Sequence, residues 1–407
     1  GWRGGLSLYF VLILPPRACP ARPLRDGPQQ EAEKDAMTFD ERLAAIRASM
    51  IEHKLEALVA IHDGAHFIET PNPVFVLSGF KSLGPAVVVL ARDGEASLIV
   101  TPAWDVERAA ACCPGLRVIA ADDVVDALES ACSSHRSRGG KLGIAGLAAT
   151  RWDIAGRVTE VMPQASAADD IVFDAAAAKT VEEIAHAREA TRIAELGYAR
   201  LVEIARPGMS EDELALELKW HTKTLGAEDN FLLLCAGPRN PAVAPSNGRV
   251  MQRGDVLVAE ITPSYRGQLA QICRTATLGP ANAGLKRKYE LLVRAMNAGI
   301  QAAHPGAAMA SVCRAINTVL EAEGYGEYCH PPHIRRRGHG LGFGSIRPGD
   351  VSLDNETVLT EGMVFMIHPN QHLPETGYLL CGEPVLVTAR GAEPLTQHRS
   401  ALVEIGL

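Results

Sequence analysis

Gly362-Met363-Val364-Phe365-Met366-Ile367-His368 matches Gly254-Asp255-Val256-Leu257-Val258-Ala259-Glu260 position for position, without a gap. Each stretch opens on glycine, runs on in apolar residues of strand length and closes on a polar side chain. The match extends upstream. Thr180 to Glu183 is a T-x-x-E capping box that opens an amphipathic helix to about Ala205, and Pro207-Gly208 breaks it. Ser210 to Glu213 opens a second helix that ends near Gly226. The same order recurs from about Leu285 to Ala303, through Pro305-Gly306, to a helix ending near Glu323. A duplicated α-α-β unit closes around a pseudo-two-fold axis, so equivalent strand ends converge on one cleft. Glu260 and His368 are repeat mates and therefore candidates to face each other there.

The first half reads differently. A helix is expected from Glu41 to about His53, with Leu43, Ala45, Ile46 and Met50 at helical spacing. Strands are expected at Leu58–Ile61, Val74–Leu77 and Ala86–Leu90. Arg92-Asp93-Gly94-Glu95 reads as a hairpin turn into Ala96–Val100, with Asp-Gly supplying positive φ angles. Residues 38–175 thus form one α/β domain and 176–407 a second, α+β domain. Residues 1–37 read as a leader outside the fold, with a short apolar run from Leu6 to Leu14 and a natural opening at Met37-Thr38. That run is well short of the roughly 20 residues that span a bilayer.

A chain of 407 residues, 47% hydrophobic and 22% charged, is globular and long enough for two or three domains. A net charge of -8 argues against a nucleic-acid partner, and no membrane partner is expected. Arg335-Arg336-Arg337 is too short for a polyanion groove but suits one carboxylate. Nine cysteines without a CxxC pair read as reduced thiols, and hence as a cytoplasmic protein.

Gly338-His339-Gly340-Leu341-Gly342, Glu361 to Ile367 and Val385-Leu386-Val387-Thr388 resemble signatures of the pita-bread family of methionine aminopeptidase, prolidase and creatinase. Gly254 to Val258, Arg274-Thr275 and the Lys179–Ala190 helix fit the same family. Residues 38–175, with Asn72-Pro73-Val74-Phe75-Val76-Leu77-Ser78-Gly79-Phe80, resemble the creatinase N-terminal domain. The resemblance implies an α/β domain of that type followed by an α+β pita-bread domain with an internal pseudo-two-fold repeat. It also implies a homodimer.

Metal-dependent members hold two divalent ions through two Asp, one His and two Glu. On this chain the resemblance places those positions at Glu260, Gln271, His339, His368 and Gly382, with Glu383 one step from the last. One carboxylate cannot balance two buried dications, so no metal is the expected state. A single Fe, Zn or Mn ion on Glu260, Gln271, His339 and His368 is the alternative. The expected chemistry is creatinase-like: hydrolysis or lysis of a C–N or related bond in a small, carboxylate-bearing substrate. His339 and His368 would form an acid–base pair near pKa ~6.5, with Glu260 in support. Gln271, Ser246, Arg335, Arg336, Arg337, Ile346 and Tyr378 are substrate-binding candidates. Ser246 and Ile346 stand where the resemblance places cleft histidines. Arg274 is a further carboxylate candidate. His330 and His333 read as loop residues, and Glu375 and Cys381 as possible cleft wall. Two other readings stay open: a metal-dependent Xaa-Pro peptidase, and a non-catalytic ligand- or peptide-binding protein.

Overall fold

The computed structural model describes residues 36–137 and 140–406, so most of the expected leader lies outside the described residues. Ala36 and Met37 already belong to the fold: Ala36 packs on the C-terminal core, and the Met37 carbonyl accepts the Val181 N–H at 3.2 Å. Helix α1 (Phe39–Glu52) starts at a capping box of Thr38 and Glu41. The chain then lays down β1 (Leu55–His62), α2 (Pro73–Ser78), β2 (Ala86–Ala91) and β3 (Ala96–Val100). After these come α3 (Val106–Cys112), β4 (Arg117–Ala120), α4 (Val124–Ser137), β5 (Lys141–Ala145), α5 (Trp152–Val161), β6 (Ser166–Ala167) and α6 (Asp169–Ala175).

These strands form one mixed sheet in the order β4-β3-β2-β1-β5-β6. Alternate residues feed opposite cores: Leu58, Ala60, Val88 and Leu98 go to one, and Val59, Ile61, Val87 and Ile99 to the other. Both faces are covered, which is why the strands read as unbroken apolar runs.

Two expectations need correction here. Val74–Leu77 is helical, because Asn72 caps it by accepting the Phe75 N–H at 2.9 Å, Pro73 opens it, and Gly79 ends it at φ 68°. The hairpin between β2 and β3 is real, but neither Asp93 nor Gly94 has positive φ. A loop longer than two residues does not need it.

His62 ends β1 buried, with Nδ1 accepting the Gly64 N–H at 3.0 Å and its ring stacked on His66 at 4.9 Å. Burial first, then the His66 charge, pull its pKa from 6.5 down to about 4. The unfolded chain therefore binds a proton below pH ~6.5 that the folded chain refuses until about pH 4, and stability drains between those values. The melting temperature should fall as pH drops from about 7 to about 4.5, and less so in His62→Asn, whose Oδ1 can still accept from Gly64. Equal slopes in the two proteins would refute this assignment.

The second half begins with α7 (Val181–Ile204) and α8 (Glu211–Thr224), each opened by the capping box its sequence announced. They cover a sheet ordered β17-β10-β8-β7, built from β7 (Asp229–Gly237), β8 (Val256–Tyr265), β10 (Ile272–Leu278) and β17 (Val403–Ile405). The two-residue β9 (Gln268–Leu269) pairs with the end of β8. The second unit repeats this with α9 (Ala283–Ala302) and α10 (Met309–Ala322). Its sheet runs β11-β12-β15-β16, from β11 (Gly338–Gly340), β12 (Val364–Ile367), β15 (Glu383–Thr388) and β16 (Gly391–Pro394). Between them β13 (Gln371–Leu373) and β14 (Gly377–Leu379) form a small hairpin. A bridge between Cys273 and Gly382 stitches the two sheets together, so the candidate residues lie along a seam. Among the described residues no helix is long and apolar enough to cross a membrane, and none of the eight cysteines is in a disulfide.

Candidate functional site

Register alone gathers the first part of the site. Glu260 on β8 is paired with Cys273 on β10, and side chains two residues apart on a strand share a face. Glu260 and Thr262 therefore lie beside Cys273 and Gln271. The Gln271 amide donates to Thr262 Oγ1 at 3.2 Å, while Gln271 Oε1 is buried without a partner. Glu260 Oε1 accepts from Asn370 Nδ2 at 3.2 Å and faces the Cys273 thiol at 3.7 Å. Burial outweighs these bonds and raises the Glu260 carboxyl to about 6.

The second unit supplies the imidazoles. His339 is buried on β11 and donates from Nδ1 to the Gly340 carbonyl at 2.9 Å, which leaves Nε2 with a free lone pair. His368, one residue past β12, is anchored by its N–H on the Arg337 carbonyl at 2.9 Å. The two rings meet edge to face at 5.2 Å, and His368 Nδ1 has no partner. Burial, with positive charge from Arg336, lowers His339; burial, then His339, lowers His368 much further. This corrects the expectation of a pair titrating near neutrality. Both imidazoles are neutral at pH 7, so they are bases.

The positions implied for metal ligands do not fit a two-metal centre. Glu260 is the sole carboxylate among them, and Gly382 has no room for a side chain. A Cβ there would stand 2.6 Å from His368 Cβ and 2.9 Å from the Ile367 carbonyl. Glu383 offers no substitute. It is fully buried and holds Arg274 at 3.2 Å, the Thr396 hydroxyl at 2.6 Å and the Ser400 N–H at 2.6 Å. A carboxylate committed to those partners is not available to an ion. Among the described residues no three His, Cys, Asp or Glu side chains gather closely enough to hold one. The donor types that remain match at most a single ion.

The other candidates separate cleanly. Arg274 binds the Gly382 carbonyl and Ser400 Oγ, each at 2.7 Å, so it is structural and not a substrate group. Arg336 is taken by Glu69 and Asp350 and clamps the N-terminal domain to this loop, which corrects its assignment to substrate. Arg335 is exposed, and His330 and His333 lie in an exposed loop. Arg337 is buried. Ser246 and Ile346 are half-buried, and neither side chain bonds to the four central residues. Tyr378 is half-buried within electrostatic reach of Glu260, and burial, then the Glu260 charge, raises its phenol. Glu375 turns away to Tyr325 and Lys288, and Cys381 packs on Met296. Sequence reading missed Cys273 and Asn370. Both stand two residues beyond a named site residue, and strand alternation could have flagged Cys273.

The N-terminal domain roofs the site. Asn72 N–H donates to the Gly344 carbonyl at 3.0 Å, and the Ile68 carbonyl lies so close to Gly342 that no Cβ would fit. Phe343, held at φ 88°, packs on Phe75 and His66 of that domain. A cavity of 360 Å³ opens here, walled by Phe67, Phe231 and Phe343 and reaching Thr262, the partner of Gln271. A larger cavity of 630 Å³ sits at the start of α9, away from these residues.

Comparison with known proteins agrees with this architecture. The model of the creatinase/prolidase N-terminal domain matches residues 42–174, and that of metallopeptidase family M24 matches residues 185–389. A Xaa-Pro dipeptidase of Pyrococcus furiosus is 27% identical over 363 residues, covering 87% of this chain and all of the relative. The solved prolidase of Pyrococcus furiosus superposes with a TM-score of 0.74 at 26% identity, covering 87% of this chain and 99% of that one. That of Pyrococcus horikoshii gives 0.77 at 24% identity, over 89% and 100%. Matched by both family models in turn, the chain belongs to metallopeptidase family M24 and carries a creatinase/prolidase N-terminal domain.

Proposed function

We propose that this M24-family hydrolase cleaves a C–N or related bond of a small, carboxylate-bearing, non-peptide substrate without a two-metal centre. The observation that carries this reading is the donor set: one carboxylate, one carboxamide and two neutral imidazoles line the seam, with Gly382 closed off and Glu383 committed elsewhere. His339 Nε2 takes a proton from water as the oxygen bonds to the substrate carbon. The same proton then passes to the departing nitrogen as the C–N bond breaks, so atoms and charge balance. An imidazolium held in a site that disfavours its charge gives that proton up readily. Gln271 and Tyr378 hold polar groups of the substrate, and Glu260, held in place by Asn370 and Cys273, is the carboxyl group available to it.

The comparisons favour a second reading, a metal-dependent Xaa-Pro peptidase, because the relative with that name is matched over its whole length. Elemental analysis of protein purified without chelator separates the two. No more than one metal ion per chain, with no chelator-sensitive cleavage of Xaa-Pro dipeptides, is the expected result. Two ions per chain with cleavage abolished by EDTA would establish the peptidase and end the charge argument.

A further inference from the structure

Among the described residues three arginines are deeply buried: Arg42, Arg274 and Arg337 are each 3% exposed or less. Arg42 is paired with Glu183 and Arg274 with Glu383. Arg337 has no carboxylate. Its Nε donates to Asn317 Oδ1 at 2.7 Å, and its Nη1 to Gln371 Oε1 at 2.9 Å and the Asn370 carbonyl at 3.4 Å. All three of these acceptors are neutral amides, the Cys329 sulfur also lies against the guanidinium, and Nη2 is buried with no nitrogen or oxygen partner. Besides the neutral imidazole of His368, the titratable groups around the guanidinium are three acids, the thiols of Cys329 and Cys313 and the phenol of Tyr378. Burial raises all three, Cys313 to about 11, so none is an anion at neutral pH. A full positive charge is thus buried without a counter-charge, one of the least favourable arrangements inside a protein. Its position makes it useful. Arg337 precedes the Gly338-His339 pair, its carbonyl anchors His368, and half-buried Tyr378 is within electrostatic reach of both Arg337 and Glu260.

We propose that Arg337 is an anion-binding group of this site, whose free Nη2 receives a carboxylate oxygen. This rests on the proposed function for the identity of the substrate, though not for the binding itself. A carboxylate of the substrate and a free small oxyanion would both supply the missing partner, and they share the chemistry of a planar acceptor against a guanidinium edge. Amide acceptors hold the guanidinium in place without neutralising it, so the incoming anion meets a fixed, uncompensated charge.

Formate is the probe. Added at constant ionic strength against a chloride background, it should raise the melting temperature of the protein saturably. Arg337→Gln should lose that response, and Arg335→Gln, changed at an exposed arginine, should keep it. An Arg337→Gln protein that responds as the parent does overturns the proposal, and so does a parent with no saturable response. If Arg337→Gln does not fold, Arg337→Lys keeps the charge without the planar fork and should weaken formate at least about tenfold. Unchanged affinity there also overturns it. Hippurate, which adds an amide C–N bond to the carboxylate, separates the sources. Tighter binding than formate points to a substrate carboxylate, and equal or weaker binding to a free oxyanion. His339→Gln should retain the formate response, so failure of the catalytic reading and failure of this one are told apart.

Discussion

Replacing Glu383 by glutamine should lower the free energy of unfolding by about 3–5 kcal/mol, the range for breaking a buried ion pair from one side. The carboxylate is completely buried, and its contacts tie together separate parts of the second domain. Arg274 comes from β10, Ser400 and Thr396 from the C-terminal segment, and Glu383 itself from the start of β15. The variant keeps the shape but leaves Arg274, itself 3% exposed, without a counter-charge. Arg274 also holds the Gly382 carbonyl, so the damage reaches the seam between the sheets. Urea unfolding followed by circular dichroism measures the effect. A loss below about 1 kcal/mol would mean that the ion pair is not a principal support, and would return Glu383 to consideration as a ligand.

His339→Gln should leave the fold intact and cut turnover of a cleavable amide, amidine or N-heterocycle by roughly 10²–10⁴-fold, the usual share of a general base. Glutamine can still donate to the Gly340 carbonyl but offers no basic nitrogen in place of Nε2. The substitution should therefore move kcat far more than KM. This experiment also addresses the third reading, a binding protein without chemistry. If no member of a broad substrate panel turns over in the parent protein, and ligand binding is unchanged in the variant, that reading displaces catalysis.

How far sequence reading reached depended on the range of the forces involved. Capping boxes at Thr180 and Ser210 and the apolar runs of β8 and β12 are local, so helices and strands could be placed from them. The Val74–Leu77 stretch misled because its β-branched residues argue for a strand, whereas the Asn72 cap and Pro73 decide for a helix. The residues of the candidate site were legible as positions, through the gapless repeat and family resemblance. Their ionisation was not. An isolated histidine reads as a neutral-pH acid–base group, and only burial, with Arg336 beside both and His339 against His368, shows both to be depressed. Arg335, Arg336 and Arg337 looked alike in sequence, yet one is exposed, one is clamped to Glu69, and one is buried without an anion. Nothing in a run of three identical residues distinguishes those fates.

Gly382 has a consequence for how such a site changes over generations. The chain has closed on it from His368, Met366 and the Ile367 carbonyl, filling the space a side chain would need. Restoring a carboxylate there would require the backbone on both sides of the seam to part first. A single substitution of Gly382 by Glu is therefore penalised before any ion could reward it. On the proposed reading, in which a ligand position has been given up here, the closed gap acts as a ratchet: selection can refine what the remaining side chains do far more easily than it can put a carboxylate back.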